Sequence, residues 1–163
     1  TPAELGSAAT LLSRFRERGL RLVTAESCTG GLLAAALTAV AGASDVFDRG
    51  FVTYSNAAKA AMLGVPDALI ASEGAMSEAV ARTMAKGAIA ASGADLAIAV
   101  TGVAGPDGGS AAKPVGLVWL AAAHRDGLVL AEQHRFPGNR AEVRRASVAA
   151  GLKLLARLIE ERA

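Results

Sequence analysis

Residues 24–31 read Thr-Ala-Glu-Ser-Cys-Thr-Gly-Gly, so Ser27, Cys28 and Thr29 place three side chains able to attack a carbon or hold a polar ligand directly before two glycines. An apolar run over residues 20–23 precedes this stretch and predicts a buried strand; an alanine- and leucine-rich run over residues 32–40 follows it and predicts a helix. Such a strand, turn and helix sets small side chains at a helix N-terminus, where the first N–H groups lack partners and the helix dipole is positive. Gly30 and Gly31 let a ligand come close to the backbone. The same residues also fit a plain capped helix start, with Thr29 or Ser27 as N-cap. The turn by itself leaves both readings open.

Two further segments carry candidate chemistry. Tyr54-Ser55-Asn56 ends a second predicted strand, residues 49–54, and either Ser55 or Asn56 can cap the helix that follows. Lys59 then falls in the first helical turn, among small apolar neighbours. The dipole disfavours a cation there and burial disfavours its charge, so both lower its pKa. A neutral lysine can serve as base for a serine hydroxyl, with a tyrosine hydroxyl relaying the proton. The plainer alternative is a solvated lysine beside a half-buried tyrosine. The other segment, residues 101–113, strings glycines between Thr101, Ser110 and Lys113, and its amides could cradle an anion or a polar ring substituent. It matches neither the P-loop nor the dinucleotide pattern. Cys28 would need a histidine partner to act as a thiolate. The chain's histidines, His124 and His134, both lie on a predicted hairpin, and Cys28 is expected to be a small buried packing residue. Two histidines without a companion carboxylate pattern make a poor ligand set, so no metal is expected.

The elements that must position these groups follow from periodicity and punctuation. Residues 3–18 predict an amphipathic helix with Ala8, Leu11, Leu12 and Phe15 on one face and Gly19 as its stop. Ser77 predicts the cap of a helix reaching Ser92. Residues 95–100 and 115–123 are apolar enough for strands buried on both faces. Asp126-Gly127 is a hairpin signal, and residues 128–136 return antiparallel at an edge. Asn139, with Glu142 three positions on, forms a capping box for the last helix, whose stripe is Val143, Ala146, Ala150, Leu154 and Leu158. The expected fold is one α/β domain over residues 1–163, a three-layer α/β/α arrangement with a mixed sheet of about five strands. If the strands before Ser27, Tyr54 and Thr101 run in one direction, their loops meet at one sheet edge.

Composition narrows the function classes. The 163 residues suit one domain with a proper core. Aromatic content of 4% argues against a base-stacking surface, and a scattered net charge of +2 argues against a nucleic-acid protein. A single cysteine excludes a disulfide framework and fits a reduced, cytoplasmic setting. No apolar run is long enough to span a membrane, and the start of the sequence lacks a signal pattern.

Taken together, Glu26-Ser27-Cys28-Thr29-Gly30-Gly31, Tyr54-Ser55-Asn56 with Lys59, Thr101-Gly102-Val103-Ala104-Gly105-Pro106 with Gly108-Gly109, and Lys113-Pro114-Val115-Gly116 resemble the CinA C-terminal domain family, in the family's order and over essentially the whole chain. Its characterised members are nicotinamide-nucleotide amidohydrolases. The resemblance implies hydrolysis of the carboxamide of nicotinamide mononucleotide to nicotinate mononucleotide and ammonia, in recycling of pyridine nucleotides, with no cofactor and no metal. It implies Ser27 as nucleophile, Tyr54 and Lys59 as its activating partners, and Thr29, Gly30, Gly31, Thr101, Gly102 and Gly105 as pocket residues. Gly138, Arg140 and Arg144 resemble the family's Gly-x-Arg-x-x-x-Arg helix start, with the two arginines suited to a phosphate. Ala57 stands where members often carry an acidic residue, and Ser110 where threonine is frequent. Many members carry a further N-terminal domain, so the chain resembles the stand-alone form or an excised domain. The expected partner is the small-molecule substrate, with no nucleic acid and no membrane; a homo-oligomer is compatible. Two other readings of the same pocket are a non-catalytic nucleotide-binding module that regulates a partner, and an amidase acting on a different amide.

Overall fold

A computed structural model describes residues 1–162. Helix α1, Pro2–Glu17, starts from a capping box in which the Thr1 hydroxyl accepts from Glu4 N–H and the Glu4 carboxylate answers at the Thr1 amine. Strand β1, Leu22–Glu26, leads through the Ser27 turn into α2, Leu32–Thr38, and a short 3-10 turn, Ala43–Asp45, leads into β2, Phe47–Val52. Three helices follow: α3, Asn56–Leu63; α4, Asp67–Glu73; and α5, Glu78–Ser92. Strand β3, Leu96–Gly102, precedes the hairpin of β4, Leu117–His124, and β5, Val129–Arg135, and α6, Arg140–Glu161, closes the chain.

The sheet has the order β2-β1-β3-β4-β5. Strands β2, β1 and β3 run parallel, with Glu26 opposite both Val52 and Val100, whereas β4 and β5 pair antiparallel. The three parallel strands therefore end level with one another, and the segments that leave them begin side by side. Because β5 reverses β4, it also ends at that edge, and α6 starts there.

Alternation along the strands separates two cores. Leu22, Leu96, Ile98, Val100, Val118 and Leu120 face α1, α2 and α6. The opposite face is built from Val23, Ala25, Ala97, Ala99, Ala121 and Ala123 against Val80, Ala81, Met84, Ala85 and Ala88 of α5 and Leu63 of α3. Small side chains on both partners let α5 lie close to the sheet. The same economy operates between helices: a Cβ on Gly87 of α5 would stand 1.9 Å from the Leu63 carbonyl oxygen, so only glycine allows α3 to end against α5 there. The mixed five-stranded sheet between two helical layers agrees with the expected class.

Boundaries differ in instructive places. The first strand was expected over residues 20–23 and instead reaches Glu26, because Thr24 and Glu26, polar and easily taken for the end of a buried run, are both fully buried. The second strand sits two residues earlier than the expected 49–54, leaving Tyr54 beyond it. Residues 67–73, which gave no clear signal, form α4. Ser55, Ser77 and Asn139 cap α3, α5 and α6 as their positions indicate. The cap of α2 is neither Ser27 nor Thr29. Gly31 occupies that position at φ 106°, where a side chain would be strained; its carbonyl accepts Ala35 N–H, but it has no side chain to cap the helix.

Candidate active site

Ser27 is the first residue beyond β1, and its own N–H donates to the Val100 carbonyl of β3, which pins it to the sheet edge. Lys59 lies on α3, one turn from the Ser55 cap, with its backbone N–H bonded to the Ser55 carbonyl. From there its side chain turns inward. Lys59 is 1% exposed, and its Nζ donates to Ser27 Oγ at 3.1 Å and to the Tyr54 carbonyl oxygen at 3.3 Å. No carboxylate pairs with it among the described residues. Burial without a counter-charge lowers its pKa from the ordinary lysine value, with the neighbouring Cys28 a smaller opposing influence. A buried amine with a reduced proton affinity, one hydrogen bond from a serine hydroxyl, is what base-assisted acyl transfer requires.

Tyr54 contributes by a different atom from the one expected. Its carbonyl receives the lysine and lies 3.5 Å from Ser27 Oγ, while the side chain is 60% exposed and its hydroxyl accepts from Arg140 Nη2 at 3.0 Å. The hydroxyl thus stands at the rim with Arg140 and makes no hydrogen bond to Ser27 or Lys59. Arg140 Nη1 also donates to the Gly105 carbonyl at 2.8 Å, so its guanidinium bridges two walls of the cleft. Arg144, one turn later, binds the nucleophile turn itself: Nε donates to the Cys28 carbonyl at 3.1 Å and Nη2 to the Thr29 carbonyl at 3.2 Å.

These groups surround a cleft of about 220 Å³ lined by Ser27, Cys28, Tyr54, Lys59, Gly102, Gly105, Asp107 and Arg140 among others. Of the remaining pocket candidates, Thr29 is fully buried with its hydroxyl on Glu26, and Thr101 donates to the Ala75 carbonyl at 2.9 Å, tying the end of β3 to the approach to α5. Gly30 lies beside Arg144 and Gly31 beside Val52, off the cleft wall. In the turn, Gly30 N–H donates to the Ser27 carbonyl, whereas the Cys28 and Thr29 N–H groups donate to no backbone carbonyl among the described residues. The first unpaired amide after a nucleophile is a common oxyanion donor. Cys28 is 6% exposed, and burial pushes its thiol up to about 11, so it is no thiolate at neutral pH. His124 and His134 stay on the hairpin, the latter stacked on Phe136. No group of His, Cys, Asp or Glu side chains among the described residues is arranged to hold a metal ion. A larger groove of about 710 Å³ between α1 and α6 is mostly apolar and brings no base to a nucleophile.

The CinA C-terminal domain profile matches residues 5–159. The chain belongs to the CinA C-terminal domain family. Within the family it is 52% identical to the nicotinamide-nucleotide amidohydrolase PncC of Pseudomonas putida over 93% of this chain and 94% of that protein. It is 54% identical to a CinA-like protein of Geobacter sulfurreducens over 88% of this chain, yet spans only 34% of that longer protein. The crystal structure of the competence/damage inducible protein CihA from Agrobacterium tumefaciens superposes with a TM-score of 0.93 at 50% identity, covering 95% of this chain and 94% of that one. No helix among the described residues is long and apolar enough to cross a membrane.

Glu26 lies in the stretch between the strand expected over residues 20–23 and the following helix, and nothing in its neighbourhood marks a role for it there. Asp107, which lines the cleft, was equally unmarked within a glycine-rich loop.

Proposed function

We propose that the chain is an amidohydrolase that converts nicotinamide mononucleotide to nicotinate mononucleotide and ammonia, with Ser27 as nucleophile and Lys59 as general base. The observation that carries this reading is the buried, carboxylate-free Lys59 amine 3.1 Å from Ser27 Oγ, at the wall of a cleft in a chain about half identical to named nicotinamide-nucleotide amidohydrolases. With the amine neutral, the Ser27 O–H turns to its lone pair, the proton passes to Nζ, and Oγ bonds to the carboxamide carbon. The negative charge that develops on the carboxamide oxygen is met by the Cys28 amide, which lines the cleft. Collapse expels the amide nitrogen, which takes the proton from Lys59 and leaves as ammonia. Water then attacks the nicotinoyl ester, Lys59 accepts its proton, and Ser27 is released when that proton returns to Oγ. Two easier steps replace one difficult attack on a stable amide.

Tyr54 serves this scheme through its carbonyl, which orients the lysine, and through its hydroxyl, which holds Arg140 at the rim. Arg140 is the arginine placed to take the substrate's phosphate, since it already lines the cleft with both terminal nitrogens turned to its walls. Arg144 supports the turn. A reduced, cytoplasmic setting suits the lone buried Cys28. The test is to incubate the protein and its Ser27→Ala variant with nicotinamide mononucleotide and to assay ammonia and nicotinate mononucleotide. Equimolar products from the parent chain and none from the variant support the reading. Tight binding without product points to the regulatory module, and turnover of other carboxamides alone to a different amidase.

A further inference from the structure

A nucleophile that must stay one hydrogen bond from its base needs a stiff turn, yet this one contains Gly30 at φ 55° and Gly31 at φ 106°. Helix α2 is seven residues long and has no N-cap side chain, so it cannot stiffen the turn by itself. The missing acceptor comes from the other side of the turn. Glu26, fully buried at the end of β1, accepts the Thr29 hydroxyl at 2.6 Å and Leu33 N–H at 2.8 Å on Oε1, and Ala34 N–H at 3.1 Å on Oε2. One carboxylate thus ties the last strand residue to the second and third residues of the helix and draws Thr29 inward between them. The backbone of the same residue reaches the other half of the site: the Glu26 carbonyl accepts Thr53 N–H at 2.9 Å, immediately before the Tyr54 carbonyl that holds Lys59 Nζ.

We propose that Glu26 is a positioning residue for the hydrolysis: its side chain locks the Ser27 turn against α2 while its carbonyl fixes the Tyr54 turn, so that nucleophile and base are held in one register and the Cys28 amide stays at the cleft wall. The inference rests on the Ser27–Lys59 reading. The chemistry of the donor set explains why a carboxylate is required. All three partners donate, and an ionised carboxylate only accepts. A glutamine can satisfy two of them through its oxygen, but its NH₂ then faces the Ala34 N–H, donor against donor. Arg144 donates to the Cys28 and Thr29 carbonyls, so the turn is held by a buried acceptor and a charged donor together.

The experiment measures kcat, KM and the pH profile for Glu26→Gln, Thr29→Val and Thr29→Ser on nicotinamide mononucleotide, with Ser27→Ala alongside and the folded fraction of each variant measured by circular dichroism. A misplacement of the turn by about 1 Å costs on the order of 10²-fold in rate, so Glu26→Gln should lower kcat by about that factor with KM little changed. The pH midpoint should stay where it was, because the base is the same and only its alignment has suffered. Thr29→Val should follow Glu26→Gln in direction, and Thr29→Ser, which keeps the hydroxyl, should recover kcat. The Thr29 pair decides the matter even if Glu26→Gln folds poorly. The proposal is overturned by a Glu26→Gln enzyme with the parent kcat, by losses that only track the folded fraction, by a shifted pH midpoint, or by equal kcat in Thr29→Val and Thr29→Ser. If Ser27→Ala retains activity, the underlying reading fails; if Ser27→Ala is inactive while Glu26→Gln turns over normally, Glu26 alone has been misassigned.

Discussion

Replacing Lys59 by methionine separates the energetic cost of the base from its use. The amine is 1% exposed and has no carboxylate partner among the described residues, so in the folded protein its charged form is penalised and its pKa lies below the ordinary 10.5. In the unfolded chain the ordinary value returns. Below the folded pKa both states carry the proton and the penalty is felt in full. Between the two values the unfolded chain binds more protons than the folded one, so stability rises with pH, by at most about 1.4 kcal/mol per pH unit. Above 10.5 both states are neutral and the penalty is gone. Methionine has similar length and no titration. It forfeits the hydrogen bonds to Ser27 Oγ and the Tyr54 carbonyl, each worth about 0.5–1.5 kcal/mol, but that loss does not depend on the pH window. Urea unfolding of the parent and Lys59→Met from pH 6 to beyond 10.5 should therefore give a stability difference that moves in favour of the parent as pH rises, then levels. The same variant should lose about 10²–10⁴-fold in kcat through loss of the general base. A stability difference that stays flat across this range would refute the argument, because it would mean that Lys59 is not held with a depressed pKa.

Other substitutions test neighbouring parts of the site. Ser27→Ala should abolish ammonia release with the fold intact while Cys28→Ala retains it; the opposite pattern would transfer the nucleophile to the thiol. Arg140→Ala should lower kcat/KM for nicotinamide mononucleotide by roughly ten- to a hundredfold, the cost of one charged hydrogen-bonded contact of about 1.5–3 kcal/mol, and should change turnover of the phosphate-free riboside little. Arg144→Ala should harm both substrates alike, since its partners are the turn's own carbonyls; selective loss on the mononucleotide would return it to the phosphate. Prolonged chelation should leave activity unchanged, and recovery of a lost activity by zinc or manganese would contradict that. Gly87→Ala should destabilise the fold by about 1–3 kcal/mol through overpacking and should also lower kcat, because the displaced helix is the one that carries Lys59.

What could be read from the sequence was local. Asn139 and Glu142 declare the start of α6 within one turn of chain, and the Ser55 cap sets Lys59 in the first turn of α3, where a cation is out of place. The apolar runs identify β3 and β4 because both of their faces are covered. What could not be read depends on partners far along the chain or on polar atoms buried against expectation. Glu26 falls past the expected strand in a polar stretch, and only the folded arrangement shows it ending β1, buried beneath α2. Arg144 has the spacing of a phosphate ligand beside Arg140, but residues more than a hundred positions earlier supply the carbonyls it binds. For Tyr54, side-chain chemistry suggests the hydroxyl, while in the fold the backbone carbonyl meets Lys59 and the hydroxyl meets Arg140.

The hydrogen bond from Arg144 to the Cys28 carbonyl closes a loop of 116 residues. Contacts of such long range form late, since the entropy of closing the intervening chain must be met first. A polypeptide emerging from the ribosome presents its N-terminal portions first, so Ser27 and Lys59 are both available long before the arginine that braces the turn between them. On the proposed assignment, refolding followed by hydrolysis and refolding followed by helical signal should run on different clocks, with catalysis trailing. An unfinished chain carries the local Glu26 brace on the turn but lacks the Arg144 brace, so full turnover should come only when the last helix arrives.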